Sequence, residues 1–375
     1  MGPEVDTPGT SAPPSAARSA PEPQRGPAPS VLRSLLRTRE ASVLGALAVS
    51  VLAASFMVEG FATGRNAGFL VLDVAAIALI ALPMTLVVIT GEIDLSVAST
   101  LGLTSAVMGQ LWVLGLPLET IVPLCVLFGA LLGALNGVLV TVAGLPSLAV
   151  TIGTMAMYRG LAYAVLGDRA VADFPFTWTG GATSRLPGTD IPWIAVLILV
   201  LAALFGLLLH ATPIGRSLYA IGNNDEATRF SGISVRWTKL WLFVASGTVA
   251  AGAGVFWTLQ YGSARADNAY GLELSVVAAV LLGGVSIFGG RGALPGVLAG
   301  VLLLGTIRNA LMLADVSSDV LDIVTGLLLV VSVVLPTTLA RVRERRPGRL
   351  RPPRAASRPA LPVSPPRRRK VKNRP

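Results

Sequence analysis

The sequence predicts an all-α protein that crosses a membrane about ten times, and three observations predict it. Of its 375 residues 53% are hydrophobic and only 13% charged, and the mean hydropathy is +0.70. A soluble domain carries about 25% charged residues, so this chain has too few to coat a water-facing surface. Its apolar residues fall into about ten runs near the length of roughly 20 that spans a hydrocarbon core as a helix. The runs lie near 41–61, 68–90, 94–115, 119–142, 146–166, 191–210, 237–260, 274–288, 293–313 and 319–339.

Before the first run, residues 1–30 hold eight prolines among Ala, Ser and Gly. They bury too little apolar surface to offset chain entropy, so 1–40 is expected to be a disordered tail. The run from Ala41 to Phe61 follows Arg33, Arg37 and Arg39, is longer than a secretory h-region and lacks a small-residue cleavage site. It is an uncleaved anchor that opens a membrane domain over 41–340. The eighth run is short, and Gly283, Gly284, Gly289 and Gly290 predict a broken element there. Irregular backbone at membrane depth survives only against protein or a water-filled cavity, so that run is expected to line a pathway.

The formal charge of +10 is unevenly placed. Arg341 to Pro375 contains 14 Lys/Arg against the single acid Glu344, residues 1–40 contain 5 basic and 4 acidic side chains, and the membrane body is left at −4. The basicity therefore belongs to a tail that can touch anionic lipid, and it is no signal for nucleic acid. Lys/Arg clusters mark cytoplasmic segments. By that rule both termini and the loop with Arg216, Arg229, Arg236 and Lys239 are cytoplasmic, while 167–190, with Phe174, Phe176 and Trp178, faces out.

Several chemistries are excluded. Cys125 is the only cysteine and His210 the only histidine, and Lys occurs only at 239, 370 and 372, none of them in a phosphate-binding G-x-x-x-x-G-K-[ST] loop. No metal or cofactor is expected, and no nucleophile–base pair suggests an enzyme. An inner echo is present instead. Ile93-Asp94-Leu95-Ser96-Val97 corresponds to Leu272-Glu273-Leu274-Ser275-Val276, and Leu132-Gly133 with Asn136 to Leu304-Gly305 with Asn309. Five spans separate each pair, which predicts an inverted repeat of spans 2–5 and 7–10, a recurrent transporter design.

The polar candidates are few. In the cytoplasmic loop, Asn223 stands at capping-box spacing from Glu226 and Gly232 can take the left-handed conformation, so a short capped helix is expected between Gly222 and Gly232. Asp94 is expected to cap the third span, where a helix N-terminus favours negative charge, and Glu273 to do the same at the opposite end. Glu92 can pair with Arg291 or another cytoplasmic-side cation. Arg159 and Arg308 lie deeper, where they either line the pathway and donate to solute hydroxyls or pair with a carboxylate such as Asp322. Asn136 and Asn309 can bond across helices or meet substrate. Arg169, Arg185 and Arg265 are outer-face charges, either solvated or facing acidic patches on another protein.

The segment Gly91-Glu92-Ile93-Asp94-Leu95-Ser96-Val97-Ala98-Ser99, together with Thr212, Gly215, Arg216, Ala220, Ile221, Gly222 and Asn224, resembles the ribose/autoinducer-2/rhamnose-type permeases of bacterial ABC importers. Pro146 to Thr154, Arg159-Gly160, the run Gly283 to Gly292 and Asn309 extend the resemblance over roughly 41–340, and Tyr261 to Asp267 looks closest to the autoinducer-2 and rhamnose branches. Glu92 and Ala98 depart from the pattern, each standing where that family has glycine. The resemblance implies a type II importer-like fold in a bacterial inner membrane, paired with a second copy or a paralogue. It also implies a separate ATPase and an extracytoplasmic binding protein that delivers rhamnose, ribose, another pentose, autoinducer-2 or a similar solute. Gly215, Arg216, Gly222, Asn223, Asn224, Glu226, Arg229 and Gly232 would form the ATPase-coupling loop. Glu92, Asp94, Ser96, Asn136, Arg159, Glu273, Gly283, Gly284, Arg308 and Asn309 would serve as pathway or structural positions. The alternative, from another class, is an ion-coupled secondary transporter.

Overall fold

Backbone N–H and C=O groups have no water to bond in a bilayer, so each apolar run must satisfy its own as a helix. The computed structural model describes Gly2 and residues 39–345, without the side chains of 39–40, 333 and 335–345. The tails expected over 1–40 and 341–375 lie almost wholly outside the described residues. Among these, thirteen helices follow in order: α1 (Arg39–Met57), α2 (Gly64–Ile89), α3 (Val97–Val113), α4 (Leu118–Thr141), α5 (Ser147–Leu166), α6 (Phe176–Thr183), α7 (Ile194–Ala211), α8 (Pro213–Asn223), α9 (Asp225–Phe230), α10 (Val235–Tyr261), α11 (Leu272–Leu282), α12 (Leu294–Leu313) and α13 (Ser318–Arg345). Six of them, α2, α4, α5, α7, α10 and α12, are long and apolar enough to cross a membrane; Ala41–Met57 of α1, α3 and α11 are shorter apolar helices. Each of the ten predicted runs contains a helix once α13 is included, and the only extended pairings among the described residues are two isolated bridges, Val171 with Ala264 and Arg185 with Pro192. Helix α6, eight residues long in the 167–190 loop and with no buried residue, falls outside the ten predicted runs.

The bundle is built around α2. From Val74 to Ile89 every one of its residues is buried, as expected of a helix that is apolar on all sides. Its neighbours repeat in pattern. Helix α3 packs on α5 and α4 as α11 packs on α13 and α12, and α10 packs on α3 and α4 as α2 packs on α11 and α12. Exchanging α2–α5 with α10–α13 thus reproduces the contacts, which gives the predicted repeat a packing basis. Between α4 and α10 the approach is close because glycines face each other: a side chain at Gly133 would overlap the Phe243 carbonyl, and one at Gly247 would overlap the Gly129 carbonyl. Lipid supplies no hydrophobic drive for helices to associate, so such small-residue contacts carry the packing.

The eighth run is broken, as its glycines predict. Helix α11 has only 11 residues, and Gly284, Gly289, Gly290 and Gly292 follow with positive φ.

Replacing Gly133 by Leu should separate α4 from α10 at a cost of about 1–3 kcal/mol. Thermal unfolding in detergent, followed by loss of the monodisperse gel-filtration peak, should show a lower midpoint than wild type. A Gly153→Ala control, with open space around its Cβ, should leave the midpoint unchanged or slightly raised.

Candidate functional site

Two helix breaks and the loop that carries α8 and α9 meet at the end of α2, and residues from all three interlock. Helix α8 begins where Thr212, in extended conformation, accepts a hydrogen bond from Gly215 N through its side chain, with Pro213 in the first turn. Such a start needs no donor from Pro and fixes the entry angle. Gly215 is buried against the Leu208 and Leu209 carbonyls, so the α7–α8 elbow is tight.

The loop departs from the expected single helix over 222–232. Asn223 remains helical and donates from Nδ2 to the Tyr219 carbonyl at 2.7 Å. Asn224 is the residue that breaks the chain, at φ −163° and ψ 103°, and its side chain caps α9 by accepting from Ala227 N at 2.9 Å. With the cap one residue later than expected, Glu226 falls at the second helical position and cannot close a capping box; it stays exposed, as do Arg216 and Arg229. Gly232 does end the segment in the left-handed region, at φ 85°.

Gly222 is the contact point. A side chain there would overlap the Ile89 carbonyl at the end of α2 and approach Gly290 N. Gly290 N itself donates to that Ile89 carbonyl at 2.8 Å, and the Tyr219 hydroxyl donates to the Gly292 carbonyl at 2.7 Å. The α8 helix is therefore keyed to the α2–α3 break and the α11–α12 break at once.

Charge completes the junction. Lys239, in the second turn of α10, donates to Glu92 Oε1 at 2.7 Å and to Asp225 Oδ2 at 2.9 Å, and Arg229 reaches Asp225 at 3.2 Å. The cation for Glu92 is thus Lys239, and Arg291 stays exposed. Partial burial pushes the Asp225 carboxyl up, but hydrogen bonds and charge from Lys239 and Arg229 outweigh it and hold the group below its ordinary 3.8. Lys239 is the only lysine between 41 and 340, and that isolation was the available signal for it. Asp225 and Tyr219 carried no comparable mark.

Just above lies a second group. Asp94, 1% exposed, does not cap the first turn of α3. Its Oδ1 accepts from Ser96 N at 3.0 Å and Ser96 Oγ at 2.6 Å, and its Oδ2 accepts from Ser246 Oγ of α10 at 2.8 Å. Asn136 Nδ2 donates to Ser96 Oγ at 2.8 Å, which brings α4 into the same cluster. A buried carboxylate retains its charge only when such donors surround it.

The other candidates stand apart from this junction. Arg159 donates to the Asn268 and Ala269 carbonyls at 2.6 and 2.7 Å, lies 3.9 Å from Glu273 and sits over the Tyr270 ring. Asp322 pairs instead with Arg308, at 3.8 Å. Glu273 does occupy the first turn of α11. Asn309 exchanges hydrogen bonds with Asn66 at 2.8 and 3.0 Å, a cross-helix pair. Gly283 lets α11 rest on the backbone of Val297, and Gly284, at φ 91°, turns the chain out of α11. On the opposite end of the bundle, Arg265 grips Asp267 with two bonds of 2.7 Å, Arg185 pairs with Asp190 at 2.8 Å, and Arg169 reaches the Leu166 carbonyl at 3.4 Å. Among the described residues no His/Cys/Asp/Glu group is arranged to hold a metal.

This bundle with broken helices keyed to a helical loop defines a membrane permease subunit. The family described as branched-chain amino acid transport system / permease component matches residues 66–333, and the chain belongs to that family. An autoinducer 2 import system permease protein, LsrD, of Yersinia enterocolitica is 34% identical over 268 residues, 70% of this chain and 80% of the relative. Proteins of the same description from Yersinia pseudotuberculosis and Yersinia pestis are 33% and 32% identical over the same shares. No solved structure matches the chain.

Replacing Lys239 by Met would leave Glu92 and Asp225 without their shared cation. Breaking a largely buried pair costs about 3 kcal/mol or more, a figure Asp225's partial exposure reduces. A melt in detergent should show K239M less stable than wild type, and E92Q/K239M recovering part of the loss. For Asp225 the sign follows from its lowered value: its contribution is complete above its unfolded value near 3.8 and is lost as pH falls through the folded value. The stability gap between wild type and D225N should therefore be constant at neutral pH and close below pH 3.8.

Proposed function

We propose that this permease carries a sugar-like solute of the rhamnose, ribose, pentose or autoinducer-2 kind into the cytoplasm, driven by a separate ATPase. Gly222 carries the proposal, because any motion of α8–α9 meets the end of α2 and the Gly290 loop directly. The exposed side chains of Arg216, Asn223, Glu226 and Arg229 then form the surface an ATPase would hold, with Gly215 and Gly232 setting its two ends and Asn224 its bend. Glu92 and Asp94 carry the movement onward through Lys239 and Ser246 into α10. The positive-inside rule supports placing this loop and both termini in the cytoplasm. The domain order would be a tail over 1–40, a permease body over 41–340 and a basic tail over 341–375. A second permease subunit, either a copy or a paralogue, would complete the pathway, and an extracytoplasmic binding protein would deliver solute near Arg169, Arg185 and Arg265. The relatives named for autoinducer 2 import support this solute class.

In proteoliposomes, uptake should require both the ATPase and internal ATP; uptake driven by an ion gradient alone would overturn the proposal. Glu226→Arg, an exposed change that disturbs no packing, should cut ATP-driven uptake by about tenfold, while the melt stays at the wild-type midpoint. Loss of one charged interface contact has effects of that order.

A further inference from the structure

A cleft lies at the far end of α3, about 24 Å from the α2–α3 break at 1.5 Å per helical residue, where the α3–α4 turn meets the start of α6. Its volume is about 440 Å³, and Trp112, Leu116, Pro117, Glu119, Pro175 and Trp178 are among its lining residues. Neither the α8–α9 junction nor the arginine pairs use it.

The sequence gives the cleft firm walls. Gly115, at φ 84°, turns the chain after α3, and Pro117 and Pro175, each with φ fixed by its ring, stand directly before α4 and α6. Trp112 Nε1 donates to the Asp173 carbonyl at 3.2 Å, and the Trp112 ring lies 5.8 Å from that of buried Phe174. The end of α3 is therefore tied to the segment that leads into α6, and one indole is held in place before any ligand arrives.

Neighbouring side chains place the cleft in depth. Val113, Leu114 and Phe176 are 54%, 64% and 85% exposed, which suits hydrocarbon better than water. Trp112 and Trp178 are half-buried, and an indole, apolar in body and polar at its N–H, is at home at headgroup level. That combination fits the boundary of the leaflet opposite the α8–α9 loop. Charge then selects the ligand. Among the described residues that line the cleft, Glu119 is the only charged one, and it is exposed. A lone carboxylate repels an anion and offers too few oxygens for a bare divalent ion. Indole faces attract an organic cation, and the carboxylate accepts from its N–H groups. A neutral sugar ring would use the indoles and leave the charge idle.

We propose that this cleft seats the primary ammonium of a zwitterionic phospholipid of the phosphatidylethanolamine kind against Trp112, Trp178 and Glu119, with its acyl chains along Leu114 and Phe176. The bound lipid braces the α3–α4 turn against α6, and the site holds whatever solute the permease carries.

The test titrates the full-length permease, purified in detergent, with phosphatidylethanolamine, phosphatidylcholine and phosphatidylglycerol of identical acyl chains, and counts bound lipids by native mass spectrometry. The first ethanolamine lipid should bind wild type about tenfold more tightly than the glycerol lipid, and Glu119→Gln should erase that preference, the weight of one charge-assisted contact. Glu119→Asp should keep part of it. Trp178→Leu should weaken ethanolamine-lipid binding about threefold, as expected for one cation–π contact at an exposed site. Phosphatidylethanolamine with an acetylated amine, which has lost the cation, should bind wild type only as well as the glycerol lipid. All are compared on protein with the wild-type gel-filtration profile. Equal binding of the three headgroups, or a preference unchanged in Glu119→Gln, would overturn the site. So would displacement of the lipid by D-ribose or L-rhamnose, or a loss in Glu119→Gln of affinity for the extracytoplasmic binding protein with lipid binding intact, because the occupant would then be the solute or a protein.

Discussion

In a bilayer the peptide group has no solvent, and the architecture of this chain follows from that constraint. A helix satisfies its own backbone; a break in a helix does not. The chain breaks its inner helices after Ile89 and again after Leu282, and each break must find protein to bond. It finds the other one. Gly290 N donates to the Ile89 carbonyl, and α8 closes over both with Gly222 against the backbone and Tyr219 bonded to Gly292. The same contacts that satisfy orphaned peptide groups make the α8–α9 loop a handle on the bundle.

Ionic and hydroxyl contacts then tie the handle to the long helices. Lys239 joins the α2–α3 break to the loop through Glu92 and Asp225. Asp94, through Ser246, joins the same break to α10. Because α10 lies on α2, α3 and α4, the loop is connected through it to helices from both halves of the repeat, the route a displacement would take under the proposed function. Neighbouring glycines between α4 and α10 keep that contact close enough to be stiff.

The opposite end is organised differently. Arg159 holds the loop before α11 by its carbonyls and leaves Ala269 at φ 56°, a conformation that costs a non-glycine residue free energy and persists only when its surroundings impose it. Asp73 and Asp322 are exposed, and half-buried Arg308 reaches across to α13 through Asp322 and Thr325. Two kinds of polar residue therefore share the membrane region: those consumed in holding helices and those left facing outward.

The sequence by itself determined the class of this protein. Apolar runs of spanning length, one lone lysine in the membrane body, no phosphate loop and the I-D-L-S and G-G-R-G segments were enough for an all-helical permease with a repeat, because hydrophobic length and backbone satisfaction are local properties. Local rules also foresaw the broken eighth run and the left-handed Gly232. They failed where neighbours compete: two adjacent asparagines suit a cap equally, and only the bond from Asn223 to Tyr219 assigns the cap to Asn224. They could not pair Glu92 with Lys239, 147 residues away, or separate Arg159, which meets Glu273, from Arg308, which meets Asp322. Those choices, and the exposure of Asp73, depend on which helix faces stack together, and that is fixed by packing among segments far apart in the chain.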